Sequence, residues 1–488
     1  MQQSIFEYQE NKEKKGGPEN RMNDLSYTEW MKFQKSFFWL SNNNDVFIKS
    51  ITFFTKEVWK DNIFSNSLII GLKDIDPNGL KDKRQIDYLD AINSIDEILF
   101  EFDKRISFGK SYDFILIDLR QILMNVAGLE EFLTNNSDHF FEDIKKLLIQ
   151  DRYAQILISH NNNTGSGFPI SWSFAQASRK HLRLRDEKIG LDKENSSLDY
   201  FLFFQNNIDN EFKQAITPDN FFYSSDDLSI PNFVFPKSPP RKKNEVLHPA
   251  KFPETLVSSF IEQFSNPGDV VFDPMVGTGS AVIAANRIGR NGYGIDLSPE
   301  FVKIASNRIS NEGTPSLFEE YKRVVVGEVF IGDATKLENI KELKKKTFDY
   351  AITSPPYWSM LSNPGSENQK SRKKKGLNLV YSSDTLDLGN VENYDTFLEL
   401  LKTVYEALAG KLKDAGKLTI IVKNVKRNHI LYPLAWDIVE MLCNNNGKYI
   451  YLGNTFWCQD DIGLKPFAVG THWVSNILHH YCLHFKKR

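Results

Sequence analysis

The chain has 488 residues, too many for one ordinary core, and is expected to divide into two or three domains of about 100–200 residues each. Its 41% hydrophobic and 25% charged content is ordinary for a soluble globular protein. No apolar run nears the ~20 residues that cross a bilayer, and the polar start Met1-Gln2-Gln3-Ser4 lacks a secretory pattern, so a cytoplasmic protein without membrane contact is expected. Cys443, Cys458 and Cys482 are too few and too scattered for a disulfide framework or a metal cluster, so no metal site is expected; a net charge of -3 leaves any nucleic-acid contact to local basic patches.

Residues 1–23 read as a mobile polar tail, with Lys12 to Lys15 and a Gly16-Gly17-Pro18 break. Residues 24–224 form an N-terminal α/β lobe whose order of elements parallels the second half of the chain. Tyr112-Asp113-Phe114-Ile115-Leu116-Ile117-Asp118 pairs with Phe348-Asp349-Tyr350-Ala351-Ile352-Thr353-Ser354. A helix-like stretch from Phe140 to Leu148 precedes a strand from Ala154 to Ile158, as Tyr405 to Leu412 precedes Lys417 to Val422. Phe168-Pro169-Ile170-Ser171-Trp172 pairs with Tyr432-Pro433-Leu434-Ala435-Trp436, and Leu198 to Phe204 with His479 to Phe485. A basic run, Ser178 to Arg185, reads as a solvated face unless a partner claims it. Residues 225–243 contain Pro231, Pro236, Pro239 and Pro240 with Arg241-Lys242-Lys243, and read as a basic linker.

The most informative stretch follows. Val270-Val271-Phe272 is a strand pattern that runs into Asp273-Pro274-Met275-Val276-Gly277-Thr278-Gly279-Ser280 and a helix from Ala281 to Arg287. Strand, glycine turn and helix are the arrangement by which backbone approaches a bound nucleotide. Gly292 to Asp296 and Val329 to Gly332 are further strands, each delivering an acid, Asp296 and Asp333, where open α/β sheets bind ligands. Phe348 to Thr353 leads into Ser354-Pro355-Pro356-Tyr357-Trp358. A lone glycine turn or an acid after a strand is usually a tight turn or a helix cap. Two successive prolines are more telling, because they remove amide donors and leave neighbouring carbonyls free to accept from a ligand. Residues 358–393 form a polar insertion with a Lys370 to Lys375 run, suited to a flexible flap on a phosphate backbone. A helix from Tyr394 to Leu412, a strand from Leu418 to Val422, a helix from Leu434 to Leu442 and strands from Tyr449 to Trp457 and Ile477 to Phe485 complete the sheet.

In this order, Asp273-Pro274, Gly277, Gly279, Asp296, Asp333 and Ser354-Pro355-Pro356-Tyr357 resemble the DNA amino-methyltransferases, which methylate the exocyclic amine of cytosine or adenine from S-adenosylmethionine. His248-Pro249-Ala250-Lys251-Phe252-Pro253-Glu254 is similar to the family segment preceding the glycine turn. The chain departs from the usual pattern at Met275, Thr278 and Ser280, where the family more often has Phe, Ser and Thr. The resemblance covers residues 244–488, which it makes the catalytic domain. It implies a Rossmann-like methyltransferase sheet with helices on both faces, preceded by a degenerate methyltransferase-like α/β lobe with Asp118-Leu119-Arg120-Gln121 in place of the Pro-Pro loop. S-adenosylmethionine is the implied cofactor. Asp296 would take its ribose hydroxyls and Asp333 its adenine amine; Gly277 and Gly279 would admit its backbone contacts. Asp273, Pro274 and Met275, with His248, Pro249, Lys251 and Phe252, would line its methionine end. Ser354, Pro355, Pro356 and Tyr357 would form the catalytic loop. DNA is the implied partner, with a cognate restriction or defence protein as a further one.

The chemistry fits these residue types. An aromatic exocyclic amine is a weak nucleophile, and acceptors for its two N–H groups favour a pyramidal nitrogen and offset the charge gained during attack on the methyl. Ser354 Oγ and the Pro355 carbonyl are the expected acceptors, and Tyr357 the stacking partner of a base that has left the duplex. Serine at the head of the loop resembles the cytosine enzymes of the family more than the adenine ones, which more often carry Asp or Asn, so the resemblance favours cytosine N4 over adenine N6. An RNA methyltransferase and a silent DNA-binding protein are the rival readings; product analysis on DNA and RNA separates them.

Overall fold

The computed structural model describes residues 23, 25, 27–40, 45–58, 63–72, 83–90, 92–160, 167–207, 215–224, 229–237, 252–312, 325–358, 388–427, 430–460, 464 and 475–488. Runs dense in branched and aromatic residues form two principal sheets. The first comprises β1 (Phe37–Trp39), β2 (Asn66–Ile70), β3 (Gln85–Leu89), β4 (Tyr112–Asp118), β5 (Leu148–Ser159), β6 (Arg183–Leu191) and β7 (Leu198–Gln205). The second comprises β8 (Phe233–Val234), β9 (Val270–Asp273), β10 (Asn291–Asp296), β11 (Gly327–Ile331), β12 (Phe348–Thr353), β13 (Leu412–Val422), β16 (Tyr449–Cys458) and β17 (His479–Lys487). Between β13 and β16 in sequence, β14 (Val425–Arg427) and β15 (Ile430–Tyr432) form a separate hairpin.

The first sheet runs β3-β2-β4-β5-β7-β6-β1 and the second β11-β10-β9-β12-β13-β17-β16-β8. Without β11 the two orders correspond strand for strand. In each, the seventh and seventeenth strands run antiparallel to both neighbours, and the short edge strands β1 and β8 run parallel to β6 and β16. The likeness extends to detail: the register slips between Tyr112 and Phe114 in one sheet and between Phe348 and Tyr350 in the other. Opposite each slip a non-glycine residue takes a left-handed conformation, Asp151 at φ 62° and Ala415 at φ 58°. Asp113 accepts from the Asn66 N–H at 3.1 Å, as Asp349 accepts from the Val270 N–H at 2.9 Å.

Helices cover both faces of each sheet. In the first half these are α1 (Tyr27–Phe33), α2 (Asp45–Phe54), α3 (Ile95–Ser107), α4 (Val126–Glu131), α5 (Ser137–Leu147) and α6 (Ile170–Ser178). The second half has α7 (Glu254–Phe264), α8 (Ser280–Arg287), α9 (Pro299–Glu312), α10 (Tyr394–Ala409) and α11 (Leu434–Cys443). Strand alternation divides the contacts: Phe114 and Leu116 of β4 pack with α2, whereas Ile115 and Ile117 join the core beneath α3 and α5. That second core runs continuously into the other lobe. At the junction Trp172 of α6 stacks on Trp436 of α11, 5.7 Å between centroids and 17° between planes. Four residues on from each Trp, Gln176 Nε2 donates to Glu440 Oε2 at 3.0 Å. Like positions thus meet like positions, as in an isologous dimer interface. Glu187, buried at the junction, accepts from Asn424 Nδ2 at 2.6 Å and Tyr481 Oη at 2.7 Å.

Several elements differ from expectation. Phe233–Val234, inside the stretch read as linker, is the edge strand β8; the flanking Pro231 and Pro236 cannot donate to a ladder, which suits an edge. Helix α10 stops at Ala409, and β13 begins at Leu412 because the slip near Ala415 is absorbed within the strand. The basic Ser178 to Arg185 run is not a free patch: Arg179 and Arg185 are buried, and Lys180 and His181 pair with Asp138. All three cysteines are buried and free. Among the described residues no helix is long and apolar enough to cross a membrane.

Candidate active site on the carboxyl edge of the second sheet

Strand β9 ends in Asp273, 1% exposed, and the chain then turns through Gly277 (φ 51°) and Gly279 (φ 85°) into α8. Gly279 is the left-handed residue that starts this helix, and a Cβ there would lie 3.1 Å from the Ala305 Cβ of α9. Gly294 in β10 is needed for another reason: a Cβ would come within 2.7 Å of the Val276 Cβ, so its absence lets the turn settle onto the sheet. The Asp273 carboxylate accepts from the Met275 N–H at 3.0 Å. Burial pushes its pKa up to about 7, against the Met275 hydrogen bond, with the Asp296 charge adding to the rise. No cation lies against it among the described residues.

The next two strands bring their acids to the same edge. Asp296 Oδ2 accepts from the Gly277 N–H and Oδ1 from the Ser298 N–H, both at 2.9 Å, which ties the turn to the end of β10. Asp333 follows β11 and accepts from Thr335 N–H at 2.9 Å and Thr335 Oγ1 at 2.7 Å, with Lys336 Nζ at 3.2 Å. Burial opposes the charge of Asp333, but Thr335 and Lys336 outweigh it and hold the group below the usual carboxylate range.

Strand β12, between β9 and β13, delivers the Ser354-Pro355-Pro356-Tyr357-Trp358 loop. Ser354 Oγ and Trp358 Nε1 are buried with no hydrogen-bond partner among the described residues. Trp358 packs on Tyr394 and Tyr432 at 5.0 and 4.7 Å, and the Arg427 guanidinium caps it at 4.9 Å. Tyr357 lies 6.1 Å from the ring of His480, which itself stacks on Trp457 at 4.1 Å. Beside His480 sits Lys423, which donates to Gln459 Oε1 at 3.2 Å and the Ile477 carbonyl at 3.4 Å. Burial lowers the Lys423 pKa to about 8. Sequence reasoning passed over both His480 and Lys423.

The edge therefore assembles Asp273, Gly277, Gly279, Asp296, Asp333 and Ser354 to Tyr357 from four adjacent strands. Phe252 is buried against α7 and β9 in the core beneath. His248, Pro249 and Lys251 lie outside the described residues, as do 359–387 of the insertion and 238–243 of the linker.

A family model described as DNA methylase, N6_N4_Mtase, matches residues 23–307, more than half of the chain. The chain belongs to this DNA methylase family. Type II methyltransferase M.HpaI of Haemophilus parainfluenzae is 39% identical over 83 residues, 17% of this chain and 26% of that protein. Orphan methyltransferase M.BamHII of Bacillus amyloliquefaciens is 42% identical over 64 residues, 13% and 24%. The match thus spans about a quarter of these curated relatives. Among solved structures, TrmN from Thermus thermophilus aligns over 62% of this chain and 59% of its own, at 11% identity and a TM-score of 0.31.

The methylase match begins in the first lobe, whose carboxyl edge carries different groups at the corresponding positions. Past the register slip, Ile117 and Thr353 are equivalent, so Asp118 stands where the second sheet has Ser354. By the pairing of β5 with β7 and β13 with β17, Asp199 stands where the second sheet has His480. Arg120 fills the space between them: its guanidinium donates twice to Asp118, Nη2 at 2.7 Å and Nε at 2.9 Å, and through Nη1 to Asp199 at 2.9 Å. The buried acid of the glycine turn also has no counterpart, since Ile69 takes the place of Asp273.

Proposed function

We propose that this DNA methylase transfers a methyl group from S-adenosylmethionine to the exocyclic amine of a base flipped out of DNA, with cytosine N4 as the target. The observation that carries the reading is Ser354 Oγ, buried and without a partner among the described residues, at the head of the Pro-Pro-Tyr loop on the same edge as the Asp273 turn. An acceptor held out of water without a donor is costly unless the substrate supplies one. The target amine has two N–H groups, and Ser354 Oγ and the Pro355 carbonyl accept them. Pro356 fixes the loop, and Tyr357 stacks on the base. A serine at the head, rather than a carboxylate or amide, is what favours cytosine.

The donor's own contribution is an electrophilic methyl on a sulfonium. The residues fit its remaining groups. Asp273, a buried carboxyl lifted to about 7 with no cation against it among the described residues, suits the ammonium of the methionine end. Pro274 and Met275 would line that end; His248, Pro249 and Lys251, assigned to it by resemblance, lie outside the described residues, and Phe252 packs in the core beneath. Asp296 receives the ribose hydroxyls, Asp333 the adenine amine, and Gly277 and Gly279 keep the backbone open. The 225–243 and 358–393 segments, with their lysines and arginines, would contact the phosphate backbone. The first lobe, 24–224, is on this reading a degenerate methyltransferase copy. Its strand order and the family match running through it support that, and the Asp118-Arg120-Asp199 cluster occupies its former pocket.

The test is direct. Incubation with labelled S-adenosylmethionine and either DNA or RNA, followed by digestion to nucleosides, should place the label in N4-methylcytosine from DNA. Label in an RNA nucleoside, or methylation undiminished in a Ser354→Ala, Tyr357→Ala double variant, would overturn the reading.

A further inference from the structure

The edge holds a further buried polar atom without a partner among the described residues, Nδ1 of His480. Its residue is 6% exposed, and its ring is fixed by the stack on Trp457, 4.1 Å away and 15° from parallel, on the side of Tyr357. The first lobe gives a measure of what fits between the positions of Ser354 and His480. There a single guanidinium bridges the equivalent residues, donating at 2.7 Å to Asp118 through one nitrogen and at 2.9 Å to Asp199 through another. The span is that of an N–C–N unit. Cytosine and adenine present the same unit at their Watson–Crick edge: an exocyclic amine, a ring carbon and an unprotonated ring nitrogen, N3 in cytosine and N1 in adenine.

We propose that His480 reads the ring nitrogen beside the target amine, Nδ1–H donating to it while Ser354 and Pro355 accept from the amine itself. This rests on the reading of Ser354 given above and extends it to the adjoining atom. The polarity fits: the amine needs acceptors, and the loop offers them; the ring nitrogen needs a donor, and a neutral imidazole can supply one. Neutrality matters as well, because a proton passed to the ring nitrogen would draw electrons from the amine and weaken it as a nucleophile. Burial, the Lys423 charge and His479 all hold the His480 ring neutral. Thymine and guanine are rejected by the same pair, since each presents a carbonyl and a ring N–H where a target presents an amine and a lone pair.

The experiment couples one protein atom to one base atom. The methylated site is first mapped by sequencing DNA treated with the wild-type protein. Duplexes are then made with the natural target base or its deaza analogue, 3-deazacytosine or 1-deazaadenine, in which the ring nitrogen is C–H. Wild type should lose ~10–100-fold in kcat/KM on the analogue, the range for a buried hydrogen bond left unmade. His480→Phe keeps the stack on Trp457 and should methylate both duplexes equally, at the lower rate. His480→Asn, which retains an N–H donor, should still discriminate. Unchanged binding of S-adenosylmethionine by each variant shows that the fold and donor site persist. Discrimination by His480→Phe as strong as that of wild type, or none by wild type, overturns the proposal while leaving Ser354 in its role. Absence of methylation on any DNA by wild type overturns both.

Discussion

Replacing Asp273 by Asn should stabilise the protein at neutral pH and at the same time weaken its hold on the donor. The carboxyl is 1% exposed and titrates near 7 in the fold, whereas an unhindered aspartate has a value of 3.8. Between those values the folded state holds a proton that the unfolded chain has released, so raising the pH through this window favours unfolding. A raised carboxyl contributes its full stability below the unfolded value and has lost it above the folded one. A shift from 3.8 to about 7 corresponds to about 4 kcal/mol at pH 8. Asn never bears this cost, and its Oδ1 can still accept the Met275 N–H.

Wild type and Asp273→Asn, free of donor, should therefore melt close together at pH 4.5 and diverge as the pH rises. At ~2–4 °C per kcal/mol for domains of this size, the variant should melt roughly 8–16 °C higher at pH 8. Titration calorimetry supplies the second arm. Wild type should bind S-adenosylmethionine more tightly at pH 8 than at pH 6, where the carboxyl is protonated, and the variant should bind weakly at both. Melting curves that stay parallel across the pH range, or a variant less stable than wild type at pH 8, would refute the account of a buried carboxylate awaiting a cation.

Other consequences are simpler to state. Gly279→Ala should cost about 1–3 kcal/mol in thermal or urea unfolding, because its φ of 85° disfavours a side chain and the new Cβ would press on Ala305; donor affinity should fall with it. Arg120→Met should strand Asp118 and Asp199, whose side chains are only 9% and 12% exposed, and lower stability by about 3–5 kcal/mol at pH 8. That deficit should shrink as the pH falls towards 4, since the stranded carboxyls then take up protons; a deficit constant with pH would count against it. Methyl transfer per folded molecule should be unaffected by Arg120→Met, and a large loss at full folding would place the first lobe in the reaction itself.

The parts legible in the sequence were those whose signal is local. Val270 to Asp273 with the glycine turn, Asp296, Asp333 and the Ser354 loop each announce themselves within a few residues, and the sheet brings them to one edge as its parallel order requires. The match of Phe168 to Trp172 with Tyr432 to Trp436 was visible for the same reason, and those segments prove to be the helix starts whose Trp rings stack across the junction. Beyond local reach lay β8, two residues between prolines that become a strand only by lying beside Phe456 and Trp457. The β14–β15 hairpin and the burial of Arg179 and Arg185 also depend on distant partners. His480 was hidden differently. Its segment reads as an apolar strand, and nothing within it tells that this strand runs antiparallel to β13 and so presents its first residues, not its last, at the carboxyl edge.

Both sheets share that reversal and one strand order, and they differ in the side chains that their carboxyl edges hold. The frame is held by main-chain pairing and by side chains that alternate into the cores, so the slip opposite Asp151 and Ala415, the Asp113 and Asp349 contacts and the paired Trp residues are kept on both sides of the junction. The residues that meet at the carboxyl edge come from the ends of different strands and carry little of that load. Exchange there costs the fold little, provided that each buried polar group finds a partner. In the first lobe Arg120 partners both acids and the edge is filled. In the second, Ser354 Oγ and His480 Nδ1 are left without partners among the described residues, and on the reading proposed above a base edge supplies the missing hydrogen bonds.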